Sequence, residues 1–231
     1  MNNKKKFFLV FLFIILDAFL LIGFLVIRDV TMLNDLKKEA KQISKLDVTK
    51  DRFNSNIKTR GTYAVVEKAI KNYLDDYAVL LQEVLEVTQD EKLTKVLSND
   101  NYKSDGPEFT KSLEYLTKTK EKVDKNINTL LKNSEDDTIK KYINDKTNDK
   151  YYRDLYVELI LTKERKENFK AVKELLETNK PKIENVFNTS IEILNFLKTN
   201  KDSWVLENGE IKFATRDLYN QYNGYVAKLS N

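Results

Sequence analysis

The chain has 231 residues, with 40 Lys+Arg against 36 Asp+Glu, 5 Gly, 2 Pro and neither Cys nor His. Without Cys there are no disulfides, thiolate nucleophiles, Fe–S clusters or thiolate zinc sites, and without His there is no Ser-His-Asp relay, imidazole switch or His-ligated metal. So few glycines also argue against phosphate-cradling loops and dinucleotide-binding units, which leaves carboxylate, Lys, Ser/Thr and Tyr chemistry.

Phe7 to Ile27 is an apolar run of 21 residues with one charge, Asp17. As a helix rising about 1.5 Å per residue it matches the roughly 30 Å hydrocarbon core of a bilayer. It is longer than the apolar part of a cleavable signal and runs straight into Arg28-Asp29, so an uncleaved single-pass signal anchor is expected. Lys4, Lys5 and Lys6 precede it and Arg28 follows, with Lys37, Lys38 and Lys41 further on. The positive-inside tendency then keeps residues 1–6 in the cytoplasm and places residues 28–231 outside. A carboxylate at mid-span costs about 2.5–3.5 kcal/mol on insertion scales. Asp17 is therefore a candidate contact with a partner span, set against its being a neutral acid tolerated by a very apolar helix.

Beyond the run, acids and bases are interspersed and nearly balanced, so neither a nucleic-acid groove nor a polybasic lipid patch is expected. Val30, Leu33, Leu36, Ala40, Ile43 and Leu46 recur every three or four residues, a narrow stripe expected to form a juxtamembrane stalk over 28–48. A long helix is expected through Phe53, Ile57, Val66, Ile70, Tyr73, Leu74, Tyr77 and on to Leu85, with Gly61 either starting a new segment or marking a close crossing. Thr88-Gln89-Asp90-Glu91 matches a capping box opening a short helix. Ser98 to Gly106 reads as a loop, and Asp105-Gly106-Pro107-Glu108 as the start of the next helix.

That helix carries Phe109, Leu113, Leu116, Val123, Ile127 and Leu130 at four–three spacing, the seam of a coiled-coil-like bundle helix. Ser134-Glu135-Asp136-Asp137 caps a further short helix, and Asn144 to Lys150 reads as a turn. A helix from Tyr152 through Leu176 is expected to end near Asn179, with Pro181 opening another that carries Phe187, Ile191, Leu194 and Leu197. Short connections favour antiparallel neighbours. Trp204 to Phe213 breaks the pattern. Asn208-Gly209 is a type I′ turn pair, which sets Leu206 opposite Ile211 and Trp204 opposite Phe213 on one face. A lone hairpin is marginal in water, so its apolar face is expected to cap the bundle. A last helix spans about 215–229.

The acids at Asp75-Asp76, Glu135-Asp136-Asp137, Asp145 and Asp149 read as solvated faces or a helix first turn. The Asp145 to Asp149 run lacks the alternating ligands, glycine and terminal glutamate of an EF-hand loop. Two tyrosine clusters, Tyr142, Tyr151, Tyr152 and Tyr156, then Tyr219, Tyr222 and Tyr225, are candidate contact surfaces, because a phenol joins a large apolar ring to a polar tip. The bland alternative is half-buried tyrosine at helix edges.

The layout of a short basic tail, one apolar run and a helical remainder resembles that of several bacterial envelope proteins, LemA-type proteins among them. The likeness reaches Ile57-Lys58-Thr59-Arg60 and the helix after it. The proline-containing core of the LemA pattern is absent, and the likeness implies no activity.

The expected protein is all-α: a tail (1–6), a transmembrane anchor (7–27), a stalk helix (28–48) and one extracytoplasmic antiparallel bundle (49–231) with a β-hairpin at 204–213. It is expected to sit in a bacterial cytoplasmic membrane with its N-terminus inside. A non-enzymatic binding or scaffold role through a protein partner or self-association is expected, without catalytic residues, metal, cofactor, nucleic acid or small-molecule ligand. The alternatives are a carboxylate-dependent enzyme of cell-wall glycans and an immunity or secretion accessory protein.

Overall fold

The computed structural model describes residues 26–43 and 56–229. Asp17 and nearly all of the expected anchor lie outside the described residues, as do Leu46 and Phe53. No helix among the described residues is long and apolar enough to cross a membrane. The chain is mostly helical with one small antiparallel hairpin. Two compact units occur: unit 1 is drawn from Met1–Asp75 and Lys140–Thr162, unit 2 from Asp76–Ile139 and Lys163–Asn231.

Unit 1 contains helix α1 (26–43), the lead-in 56–60, the first part of α2 (Gly61–Thr88), the end of α6 (Asp136–Asn144) and α7 (Lys150–Ile160). The stripe on α1 is partly buried. Val30 stays exposed, but Leu36, Ala40 and Ile43 are buried in the unit, as is Glu39 between them. Gly61 does begin a new helix, so Ile57 lies in the lead-in instead of a helix. The Gly61 φ of +59° is a conformation that glycine adopts without strain. Val66, Ile70 and Tyr73 line the buried face of α2, and Ile143, Leu155, Tyr156 and Ile160 complete the core. Each such aliphatic side chain contributes about 1.5–3 kcal/mol on burial. Asp149 ends the 144–150 turn as the N-cap of α7, accepting from the Tyr151 amide at 2.9 Å.

In unit 2, α5 (Thr110–Asn133) packs along α8 (Lys163–Thr199), and α8 packs against α9 (Arg216–Lys228). The expected seam is there: Phe109, Leu116, Val123, Ile127 and Leu130 are all buried. The boundaries before it differ. Asp90, not Thr88, caps α3 (Glu91–Lys95): its carboxylate accepts from the Lys92 amide at 2.8 Å, while the Thr88 hydroxyl donates back to the Leu85 carbonyl. The expected loop after Ser98 is a helix, α4 (Asn99–Ser104). Its poor helix formers are held by the Ser98 cap and by Asn101, which donates to the Val96 carbonyl and accepts from the Ser112 hydroxyl. Pro107 precedes α5 instead of opening it. The helix is capped from outside by the Asp105 carboxylate, which accepts from the amides of Lys111 and Ser112 and from the Ser112 hydroxyl. Phe109 sits at the junction with φ +51°, a strained value for a side-chain-bearing residue that its complete burial offsets.

The helix expected from Tyr152 to Leu176 is broken at Leu161-Thr162, and α8 then runs 37 residues straight through Pro181. An interior proline removes one helix hydrogen bond and costs about 3 kcal/mol. Buried Leu176 and Phe187 on either side outweigh that loss. The hairpin forms in the expected register, Trp204 opposite Phe213 and Leu206 opposite Ile211, with Asn208 and Gly209 at positive φ. Its apolar face packs inside unit 2. Trp204 stacks on Phe109 at 6.2 Å and donates its indole N–H to the Leu197 carbonyl, and Phe213 meets Phe196 and Tyr222.

Candidate functional site

The most concentrated chemistry is a buried ionic cluster in unit 1. Helix α1 presents Glu39 on the face that carries Leu36 and Ile43. Helix α2 presents Glu67 and Lys71 one turn apart on its buried face. The Lys71 ammonium has three N–H donors, and the structure supplies three acceptors: Glu67 Oε1 at 2.6 Å, Glu39 Oε1 at 2.9 Å and the Asn56 carbonyl at 2.8 Å. Glu67 in turn gathers the lead-in, accepting from the amides of Lys58 and Thr59 and from the Thr59 hydroxyl. The half-exposed Lys58 ammonium closes over Glu39.

Burial alone would raise both glutamate pKa values. For Glu39 the hydrogen bonds and charges of Lys58 and Lys71 outweigh burial and leave the pKa lowered. For Glu67 the Lys71 hydrogen bond and those from Lys58 and Thr59 do the same. Both acids are thus held ionised and fully coordinated. A general acid for glycoside hydrolysis needs the opposite, a raised pKa and an open face toward the sugar. What this arrangement does chemically is clasp α1, the lead-in and α2 together.

Unit 1 also holds a cavity of about 500 Å³. Arg28, Asp29 and Met32 of α1 line it, with Arg60 and the first residues of α2, and Tyr63 and Tyr152. Tyr63 is buried and meets Tyr152 edge-on at 5.1 Å. Its hydroxyl makes no hydrogen bond of ordinary length and angle among the described residues. Burial first, then Tyr151 and Asp29 as polar neighbours, push its pKa up.

The tyrosines singled out from the sequence differ in burial within each unit. Tyr156 is fully buried and belongs to the core, a correction to its place in a contact surface: the face it shares with Leu155 and Ile160 points inward. Tyr142 is half-buried against Tyr73, and Tyr152 lies between Tyr63 and Tyr151. In unit 2, Tyr222 packs on Phe213 with its hydroxyl 3.4 Å from that of Tyr102. Tyr225 packs on Phe196 under the Lys228 ammonium. Tyr151 and Tyr219 are about half exposed, at 50% and 51%. Glu135, Asp136, Asp137, Asp145 and Asp149 are all exposed, and Asp76 likewise. No group of acids among the described residues is placed to hold a metal.

Glu39, Lys58, Glu67 and Lys71 were not identified from the sequence. The available signal was a charge on an apolar face: Glu39 between Leu36 and Ile43, and Glu67 and Lys71 flanking Ile70. Comparison with protein-family models, with curated proteins and with solved structures found no match to this chain.

Proposed function

We propose that the protein is a membrane-anchored, extracytoplasmic helical binding or scaffold module of a bacterial cell envelope that acts through protein–protein contacts and not catalysis. One observation carries this reading. The apolar run ends at Ile27, α1 covers 26–43 without interruption, and its Glu39 is buried in the clasp with Lys71 and Lys58. A tether joined to a fold in this way positions the fold relative to the bilayer, where a loose linker would let it wander. The converging carboxylates support a binding role over a glycan hydrolase, because both are neutralised by lysines and their pKa values are lowered. The exposed Tyr151 and Tyr219 rings are the places we assign to partner contact.

Topology tests this first. The chain has no Cys, and Lys163 is 92% exposed. A Lys163→Cys variant labelled by a membrane-impermeant maleimide on intact cells supports the reading. Labelling only after lysis sinks it, and the search then turns to partners on the cytoplasmic side.

A further inference from the structure

We infer that the cavity at the start of α2 in unit 1 is a binding site for a phosphate-class anion. The argument rests on its donors. Arg28 and Arg60 both line it, and neither makes an ion pair among the described residues. A guanidinium offers five N–H donors in a planar fork and no acceptor, the geometry that suits phosphate oxygens. The buried Tyr63 hydroxyl is a further lining donor without a hydrogen bond of ordinary geometry. Gly61, Thr62 and Tyr63 open a helix of 28 residues, whose first amides lack intrahelical partners and carry the positive end of its dipole. Asp29 is the one acid in the lining, and it neighbours the Tyr63 and Tyr152 phenols.

A donor-rich wall with two arginines against one aspartate selects an acceptor-rich anion. The space of about 500 Å³ admits a phosphate with a small substituent. The sequence alone had suggested no small-molecule ligand, since the signature for one, a glycine-rich loop, is absent and this wall is assembled from α1, α2 and α7. The phosphate could come from a soluble anion or from a lipid headgroup, because Arg28 directly follows the apolar run. The soluble arm does not depend on the anchor reading and can succeed if that reading fails.

The test is phosphorus NMR line broadening on the full chain in dodecylmaltoside micelles. One arm titrates inorganic phosphate, and the other dopes the micelles with phosphatidylglycerol. Saturable broadening is expected in at least one arm, weakened about tenfold or more by Arg28→Gln with Arg60→Gln, and less by Tyr63→Phe. Lys163→Gln with Lys166→Gln removes the same charge elsewhere and is expected to bind as the parent does. Broadening by inorganic phosphate, with or without the lipid, assigns a soluble phosphate group, and broadening by the lipid alone assigns a headgroup. Failure of both probes to bind at about 10 mM, a concentration that would detect even a Kd near 1 mM, overturns the inference. So does unchanged binding by the double arginine variant. Both arginines are exposed, and matching melting curves confirm that the variants remain folded.

Discussion

The Lys71 ammonium lies 2.9 Å from the Glu39 carboxylate, and both side chains are almost wholly buried, 5% and 6% exposed. An ion pair withdrawn from water to that degree is a liability if either partner is lost, because the survivor keeps its desolvation cost without compensation. Lys71→Met strands Glu39 and Glu67 together. A loss of about 3–5 kcal/mol in unit 1 is expected, read as reduced hydrogen-exchange protection of the Val66 to Tyr73 amides. Protection within about 1 kcal/mol of the parent would show that the cluster is not the fastener.

The same cluster sets an acid response. Glu39 and Glu67 both have folded pKa values below the ordinary 4.5. A depressed folded pKa contributes stability that is complete above the unfolded value and is lost as pH falls through the folded one. Unit 1 is therefore expected to hold a level urea midpoint above about pH 5 and to lose stability steadily below about pH 4.5. Glu67→Gln lowers the neutral-pH midpoint and flattens the acid slope, and a slope identical to the parent's would refute the assignment.

Unit 2 carries its own reporter, since Trp204 is the single tryptophan of the chain. Gly209 has φ +82°, and a Cβ there would come within 3.3 Å of the Asn99 amide nitrogen, which itself donates to the Gly209 carbonyl. Gly209→Ala is expected to cost about 1–2 kcal/mol through the left-handed backbone alone, visible as an earlier urea transition in Trp204 fluorescence. An unshifted transition would mean that the turn does not need glycine.

Asp90 does two jobs, capping α3 and accepting from the Tyr115 hydroxyl at 2.5 Å. Burial, and then Asp90, push the Tyr115 phenol up to about 12. A raised phenol pKa stabilises the fold below the ordinary value of 10.0 and loses that contribution as pH climbs through the raised one. Ultraviolet titration is expected to show one fewer late-ionising tyrosine in Asp90→Asn than in the parent, because the change moves Tyr115 toward the ordinary value while buried phenols such as Tyr63 stay raised. Tyr115→Phe should cost about 1.5 kcal/mol, the low end for a hydrogen bond to a charged acceptor.

Much of this architecture can be read from residue spacing. The four–three seam of α5 and the period of two across the hairpin are local facts. The physics that uses them, one buried face per element and positive φ at Asn208-Gly209, is local too. That is why seam, register and faces occur as expected. The apolar run through Ile27 is equally a property of the sequence, and the proposal of a membrane anchor rests on it.

Partners distant in sequence decided the rest. Whether Ser98 to Ser104 coils or turns helical depends on Ser112 reaching Asn101. Pro181 could start a helix or be carried inside one, and the burial of Leu176 and Phe187 made the choice. Tyr156 and Tyr151 look alike in sequence, yet only the packing of α7 puts one in the core and leaves the other in water. Glu39 meets Lys71 from a different helix, and Asn99 meets Gly209 across 110 residues. Spacing along a chain specifies which face a residue occupies. What that face meets, and whether a charge there is stranded or clasped, follows only once the elements have packed.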